Sequence, residues 1–519
     1  MKHALNSLLA LSFFFVLSSS TRADGPADEV GFKPIFNGRD LKGWDGDPAH
    51  WSVSDGAIIG ETTVENPLKV NSFLIWRQGN VDDFELRCSY RLTSDWGNSG
   101  IQYRSKEMKE IAPWVVGGYQ ADIESGDEHT GGMYEERVRG IVAKRGQTVT
   151  VDADGKITQG PPAGDHKELQ SFVNKKDWND YVVIAQGNHL TQKINGHVMC
   201  EVTDNQPSKR AFSGILALQL HAGKLPMHVE FKNIRLKRLP LADRKKVVMV
   251  AGKLSHGPGE HEFNAGTLLL KKCLDENAPQ VLAAAYLSGW PDDPTAFDNA
   301  DAIMLYMDGG DKHPVVARNR LAEIDRLTKR GVGVICAHYA VEVPKEKGGP
   351  EFERWIGGYF ETFWSINPTW YMSKATLAKD HPITRGVKPF DIKDEWYYHM
   401  RFRPNMEGVT AILSAVPPDE TRNHPDDAHG GNPAVRADIG KNVPEILCWA
   451  AERPDGGRGY GFTGGHYHLN WGNDDYRKLM LNAILWTAKA EVPPDGVNST
   501  VSADDLKANL DKKARPGGL

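Results

Sequence analysis

The 519-residue sequence is poor in cysteine. Cys88, Cys200, Cys273, Cys336 and Cys448 are scattered, odd in number and never in a CxxC pair. This excludes a disulfide framework and a cysteine-built zinc site. Most of the five fall in apolar runs and read as small core residues. A dominant charge is missing as well: the net charge of −6 gives no footprint for nucleic acid or an anionic membrane as partner. Long hydrophobic runs are also absent. The one conspicuous run, residues 8–17, is too short to span a bilayer. It follows Lys2 and His3 and precedes Thr21-Arg22-Ala23. That order predicts a secretion signal over 1–23, removal before Asp24, no membrane span thereafter, and export to the periplasm or outside the cell.

A chain of this length suits two or three domains. Beyond a polar linker to about Glu29, residues 31–240 read as strand almost throughout. DFELRCSYRL places Phe84, Leu86, Cys88, Tyr90 and Leu92 on one face. Gly-Asn and Asn-Gly pairs at 187–188 and 195–196 punctuate successive strands as hairpin turns. Many short strands with such turns predict an all-β jelly-roll sandwich. From about Leu241 the pattern changes. Apolar strands near 247–252, 281–286, 301–307 and 331–338 alternate with helical text at 264–276 and 315–329. Strands near 409–416, 445–451 and 459–465 and a helix at 474–489 follow. This alternation predicts a parallel sheet with helices on both faces over 245–490. The Pro/Gly-rich, charged tail 491–519 is expected to be disordered, except where Ser502 and Asp505 cap a short helix.

The densest polar signal lies in NSGIQYR, WVVGGYQADI and GGMYEERVRG, between Asn98 and Gly140. Alternate side chains of a strand share a face. Gln102 and Arg104 therefore oppose Ile101 and Tyr103, and Gln120 and Asp122 oppose Tyr119, Ala121 and Ile123. Such a face offers fixed donors and acceptors to a polyhydroxylated ligand. The alternative is a polar outer sheet satisfied by internal hydrogen bonds.

These segments resemble the 3-keto-disaccharide hydrolase domain family. The resemblance extends through FNGRDLKGW (36–44), WSVSDGAIIGE (51–61), WNDYVVIAQGNHLTQKING (178–196), LALQLHAG (216–223) and FKNIRLKRL (231–239), in order, over nearly all of 31–240. It implies a concanavalin-like jelly roll and a sugar-derived substrate. A C3 ketone acidifies the neighbouring C2 hydrogen, so a base can remove it and expel the C1 substituent, with water added later. The site then needs a base, a donor set for the enolate oxygen and an acid near the leaving group. Asp122, Glu135, Glu136 and His221 are the candidate bases and acids, with Arg104 and Arg137 for the enolate. Gln102, Tyr103, Gln120, Arg139, Gln219 and His189 are the candidate substrate contacts. Glu135 or Glu136 pairing with Arg137 or Arg139 is the structural alternative, as is a turn contact for His189.

Residues 245–490 resemble the ThuA-like family, named for trehalose utilisation. SHGPGEHEF (255–263), DAIMLYMDGG (301–310), GVGVICAH (331–338), DEWYYHMRF (394–402) and GRGYGFTGGHYHLNW (457–471) carry the resemblance. It implies the flavodoxin-like sheet of the class I glutamine amidotransferases. His338 takes the place of their nucleophilic cysteine, and Cys336 lies two residues earlier inside the strand, so thiolate glutaminase chemistry is not expected. His256, Asp308, His338 and His466 each follow an apolar strand, where open parallel sheets bind ligands. With His261, Glu262, Glu395 and His399 they outline a second pocket, for a sugar or keto-sugar and possible divalent metal ion. HGPGEH is not itself a metal-binding spacing. The expected protein is an exported hydrolase of 3-keto-glycosides with a ThuA-like sugar-processing domain. Its rivals are a non-catalytic glycan-binding jelly roll beside such a domain, and a surface structural protein.

Overall fold

A computed structural model describes residues 30–514. The expected secretion signal lies outside the described residues. Among those described, no helix is long and apolar enough to cross a membrane.

The first lobe is a sandwich of a ten-stranded and a seven-stranded sheet, antiparallel except where Thr148–Val151 runs parallel to His197–Asp204. Strict alternation builds its core. In strand Phe84–Leu92, the residues Phe84, Leu86, Cys88, Tyr90 and Leu92 turn inward. They meet Ile101 and Tyr103 of Asn98–Glu107, Ala121 and Ile123 of Val116–Glu124, and Leu216, Leu218 and Leu220 of Ile215–Leu220. The Asn195-Gly196 turn has φ of 49° and 86°, the left-handed pair that a two-residue hairpin demands. Each core side chain of this size contributes roughly 1.5–3 kcal/mol by leaving water.

The seven-stranded sheet runs Gly140–Ala143, Met133–Glu136, Val116–Glu124, Asn98–Glu107, Ile215–Leu220, Ser72–Trp76 and Trp44–Asp45. Its outer face carries the polar positions. Register sets Gln102 beside Gln120, and Gly100 between Asp122 and Gln219. A pairing shift between Tyr103 and Lys106, with Arg104 at φ 47°, breaks the alternation locally. Arg104 is thereby turned off the face that holds Gln102.

The second lobe is built on an eight-stranded sheet. Val281–Tyr286, Lys245–Ala251, Ala302–Tyr306, Gly333–Ala337 and Arg458–Phe462 are parallel neighbours in that order. Glu445–Glu452, Val409–Ala415 and Thr376–Leu377 extend it antiparallel. The sheet is therefore mixed rather than purely parallel. Helices Phe263–Asn277 and Asp474–Thr487 contribute to the apolar cluster on one face, and Arg320–Thr328 and Gly349–Ile356 to the cluster on the other.

The tail departs from the expectation of disorder. Val492 and Val497 are buried and the Arg477 guanidinium reaches Ser499, whereas Ser502 and Asp505 cap the short helix Ala503–Lys507 as the sequence leads one to expect. Further on, the buried Lys513 ammonium lies 3.3 Å from the buried Glu262 carboxylate.

A buried ionic network joins the lobes. Asp82 accepts from Lys246 at 2.6 Å and from Arg238 at 3.3 Å, and Arg238 also pairs with Asp293 at 2.9 Å. Arg104 pairs with the neighbouring Asp83 at 2.7 Å. Three cations and three carboxylates balance there. Burial opposes ionisation of Asp82, but Lys246 and Arg238 outweigh it and hold the carboxyl at about 2.

Candidate functional site

The outer face of the seven-stranded sheet sinks into a cavity of about 250 Å³ lined by Asn71, Asn98, Gln120, Asp122, His129, Tyr134, Glu136, Ile141, Gln219 and His221. Gly100 forms its floor. A Cβ there would stand 2.6 Å from Gln120 Cγ, so glycine is what lets Gln120 lie across the strand. A hydrogen-bond chain crosses this floor. The Gln102 amide lies 2.7 Å from both Ser105 Oγ and the Gln120 amide, and Gln120 Nε2 donates to Asp122 Oδ1 at 2.6 Å. Burial pushes the Asp122 carboxyl up to about 7, against the pull of the Gln120 donor. Burial also raises Glu136, against Asn71, whose amide donates to it at 3.3 Å, and Arg137, 3.6 Å away.

His221 Nδ1 lies 2.7 Å from the Ala222 carbonyl. That contact assigns the proton to Nδ1 and leaves the Nε2 lone pair for the cavity. The ring packs edge-on to Trp96, whose indole occupies the space a Gly223 side chain would need. Gln219 is fully buried, and neither its amide nitrogen nor its oxygen has a partner in the protein. A buried amide without a protein partner is costly.

Five of the expected residues thus meet in one cavity: Gln120, Asp122, Glu136, Gln219 and His221. Gln102 stands directly behind Gln120, and Arg137 sits at the exposed rim. The others are elsewhere. Arg104 is spent on Asp83 and on the carbonyls of Asp82 and Gly187. Glu135 and Arg139 form an ion pair, with Asp204 2.5 Å from Arg139 and hydrogen bonded by Tyr119. Alternation turns Glu135 away from the cavity, and the ion pair keeps Arg139 with it. Tyr103 is a core ring packed on Phe84 and Tyr119. His189 is exposed on the ten-stranded sheet, 3.1 Å from Thr203 Oγ1. Asn98, Tyr134 and Asn71 also line the cavity; Asn98 and Tyr134 follow the same period of two as Gln102 and Glu136, so that spacing could have pointed to them. His129 comes from a loop with no periodic signal.

The second site lies beyond the carboxyl ends of the parallel strands. His261, His338, His466 and Glu395 converge, with one donor atom of each within 4.8 Å of every other. Tyr397, missed in the sequence, adds its hydroxyl 3.3 Å from His338 Nε2. His338 occupies the strand-to-helix elbow at φ 54°, a strained conformation held by its surroundings. Burial drives His261 strongly toward the neutral form. Burial opposes ionisation of Glu395, but His338 and His466 outweigh it and hold the carboxyl well below the usual range. His256 stacks on His261, and Asp308 lies 3.2 Å from His261 Nδ1. A pocket of about 570 Å³ opens beside His256 and Asp308 and continues past Tyr339, Glu342 and His429.

Two expected members are absent from this cluster. His399 packs against Trp364 and Glu445. Glu262 faces the tail, accepting from the amides of Gly259 and Asp511 and pairing with Lys513. Cys336 is fully buried and burial pushes its thiol up, so it is no nucleophile.

Comparison with known families agrees with the two-lobed architecture. Residues 31–237 match the 3-keto-alpha-glucoside-1,2-lyase-like domain, and residues 246–487 match the trehalose utilisation (ThuA) family. The chain is a fusion of these two domains in that order, and it is a carbohydrate-related protein. Among solved structures, a candidate glycosyl hydrolase from Parabacteroides distasonis is similar at 18% identity, over 40% of this chain and 94% of its own, with a TM-score of 0.27. A candidate ThuA-like protein from Bacteroides uniformis is similar at 15% identity, over 48% and 94%, with a TM-score of 0.34. A carbohydrate-binding module from Bacillus subtilis is similar at 12% identity, over 38% and 95%, with a TM-score of 0.25. No curated protein matches the chain.

Proposed function

We propose that the protein is an exported enzyme that cleaves 3-keto-glycosides in the jelly-roll cavity by elimination across C1 and C2. The observation that carries this reading is a carboxyl poised at about 7, Asp122, lining the same cavity as the imidazole of His221. The lyase-like family match supports it.

In this reading His221 Nε2 removes the C2 proton. The C2–H electron pair forms the C1–C2 double bond by way of the C3 enolate, and the C1–O bond breaks. Asp122, protonated near neutrality, delivers its proton to the departing oxygen. The unpaired Gln219 amide donates to the C3 oxygen, where negative charge develops. Water adds later to the enone, so that the net change is hydrolysis. Gln120 and the asparagines hold sugar hydroxyls. The ThuA-like lobe processes a related sugar beyond the carboxyl ends of its parallel strands.

The test is turnover of a 3-keto-glucoside by the full chain, since the buried Arg238–Asp82 pair precludes treating the lobes as separate pieces. Asp122→Asn and His221→Gln should lose turnover by about 10²–10⁴-fold while still binding the sugar. Unchanged turnover in both variants would remove the cavity from the chemistry. Binding without turnover by the wild type would make the jelly roll a glycan-binding module.

A further inference from the structure

We propose that His261, His338, His466 and Glu395 form a binding centre for a divalent transition-metal ion of the zinc class. This inference does not rest on the reading of the jelly-roll cavity.

The four side chains come from distant parts of the chain. His261 precedes helix Phe263–Asn277, His338 follows strand Gly333–Ala337, Glu395 ends strand Ile392–Glu395, and His466 lies beyond strand Arg458–Phe462. Their donor atoms nevertheless form a tight set. His261 Nε2 lies 3.0 Å from His338 Nε2 and 3.1 Å from His466 Nδ1. His338 Nε2 and His466 Nδ1 are 3.3 Å apart. Glu395 Oε2 stands 3.4 Å from His338 and 3.1 Å from His466. Ligands held about 2.0–2.2 Å from a zinc-class ion lie about 3–3.5 Å from one another.

The outward sides of the rings fix what the inward sides present. His261 Nδ1 faces Asp308 at 3.2 Å, and His338 Nδ1 faces the Thr463 carbonyl at 3.0 Å. His466 Nε2 faces Glu260 at 3.8 Å. The outer nitrogens of His261 and His338 are hydrogen bonded and so carry the proton, and the Glu260 carboxylate favours the same arrangement at His466 by charge alone, which leaves the inner nitrogens to present lone pairs. A carboxylate or carbonyl behind a histidine is the usual support of a metal ligand. A cation at that point would receive the three inner nitrogens and the carboxylate as its four ligands. Backbone strain at His261 and His338, with φ of 44° and 54°, is the cost of aiming them. The predominance of imidazole selects zinc, cobalt, nickel, copper or iron over calcium or magnesium.

The test uses the untagged full chain, stripped with a chelator and titrated with Co²⁺. The expected result is one Co²⁺ per chain, with a visible absorption band that Zn²⁺ displaces. Glu395→Gln and His466→Gln should each weaken binding by at least about 100-fold, and Asp122→Asn, in the other lobe, should leave it unchanged. Electron paramagnetic resonance of the Cu²⁺-loaded wild type should report three nitrogen ligands, a readout that needs no variant. Less than a tenth of an equivalent of Co²⁺ on the folded wild type would overturn the proposal. So would undiminished binding in both variants, or a copper spectrum with fewer than three nitrogens.

Discussion

Gln120 donates its side-chain amide to Asp122 at 2.6 Å, and it can do so only because Gly100 leaves the strand surface open beneath it. The hydrogen bond favours the carboxylate, and burial favours the acid. Burial wins, and the group is left at about 7. As proton donor, Asp122 should sustain activity below that value and lose it above.

Stability should respond in the same window. The native carboxyl holds its proton up to about pH 7, whereas the unfolded chain releases it near 3.9. The unfolded state binds fewer protons between those values, so stability falls as pH rises, by at most about 1.4 kcal/mol per pH unit. Asp122→Asn has no such proton to lose. It should therefore melt higher than wild type at pH 8, while its turnover collapses. Denaturant melts of both proteins at pH 5 and pH 8 check the sign.

Gly100→Ala tests the floor. Its Cβ would press on Gln120 Cγ at 2.6 Å and on the Ala121 carbonyl at 3.0 Å, a local overpacking that costs about 1–3 kcal/mol. The displaced amide would no longer stabilise the carboxylate. The alkaline limb of the rate profile should move to higher pH, which a pH titration of turnover reads directly.

The sequence shows where this floor lies but not where the strand turns. Period-two alternation brings Gln120, Asp122, Gln219 and His221 to one face, and they meet there. Arg104 obeys the same spacing and lands elsewhere, because the bulge at 104–105 reverses it; nothing in NSGIQYR marks that bulge. Glu135 and Glu136 are adjacent, so only one of them can face the cavity, and register rather than composition makes it Glu136. In the second lobe, histidines at strand ends predicted a pocket. Their closure around Glu395 depends on chain segments spread over 205 residues, from His261 to His466. The tail's composition reads as disordered, but its few apolar residues, Val492 and Val497, are enough to dock it once the second lobe exists.

Arg104 should prove structural. Arg104→Gln or Arg238→Met leaves a buried aspartate unpaired, which costs about 3–5 kcal/mol. Catalysis by the folded fraction should be little changed for Arg104→Gln. Because Asp82 is depressed below its unfolded value, its share of stability should persist above about pH 4 and vanish toward pH 2. Equilibrium unfolding across that range measures the loss.

Lys513 should anchor the loop that carries His261. Its ammonium donates to the carbonyls of Glu260 and His261 and pairs with Glu262. Lys513→Ala should speed hydrogen exchange of the His261 and Phe263 amides at least about tenfold, without unfolding the jelly roll. Exchange indistinguishable from wild type would assign the tail no such role.

The most direct measurement is aglycone release from a 3-keto-glucoside carrying deuterium at C2, followed with the full chain. Elimination predicts a primary isotope effect on release and loss of the label to solvent, both suppressed with turnover in Asp122→Asn and His221→Gln. Release at equal rates from labelled and unlabelled sugar, with all deuterium kept at C2 of the product, would contradict it.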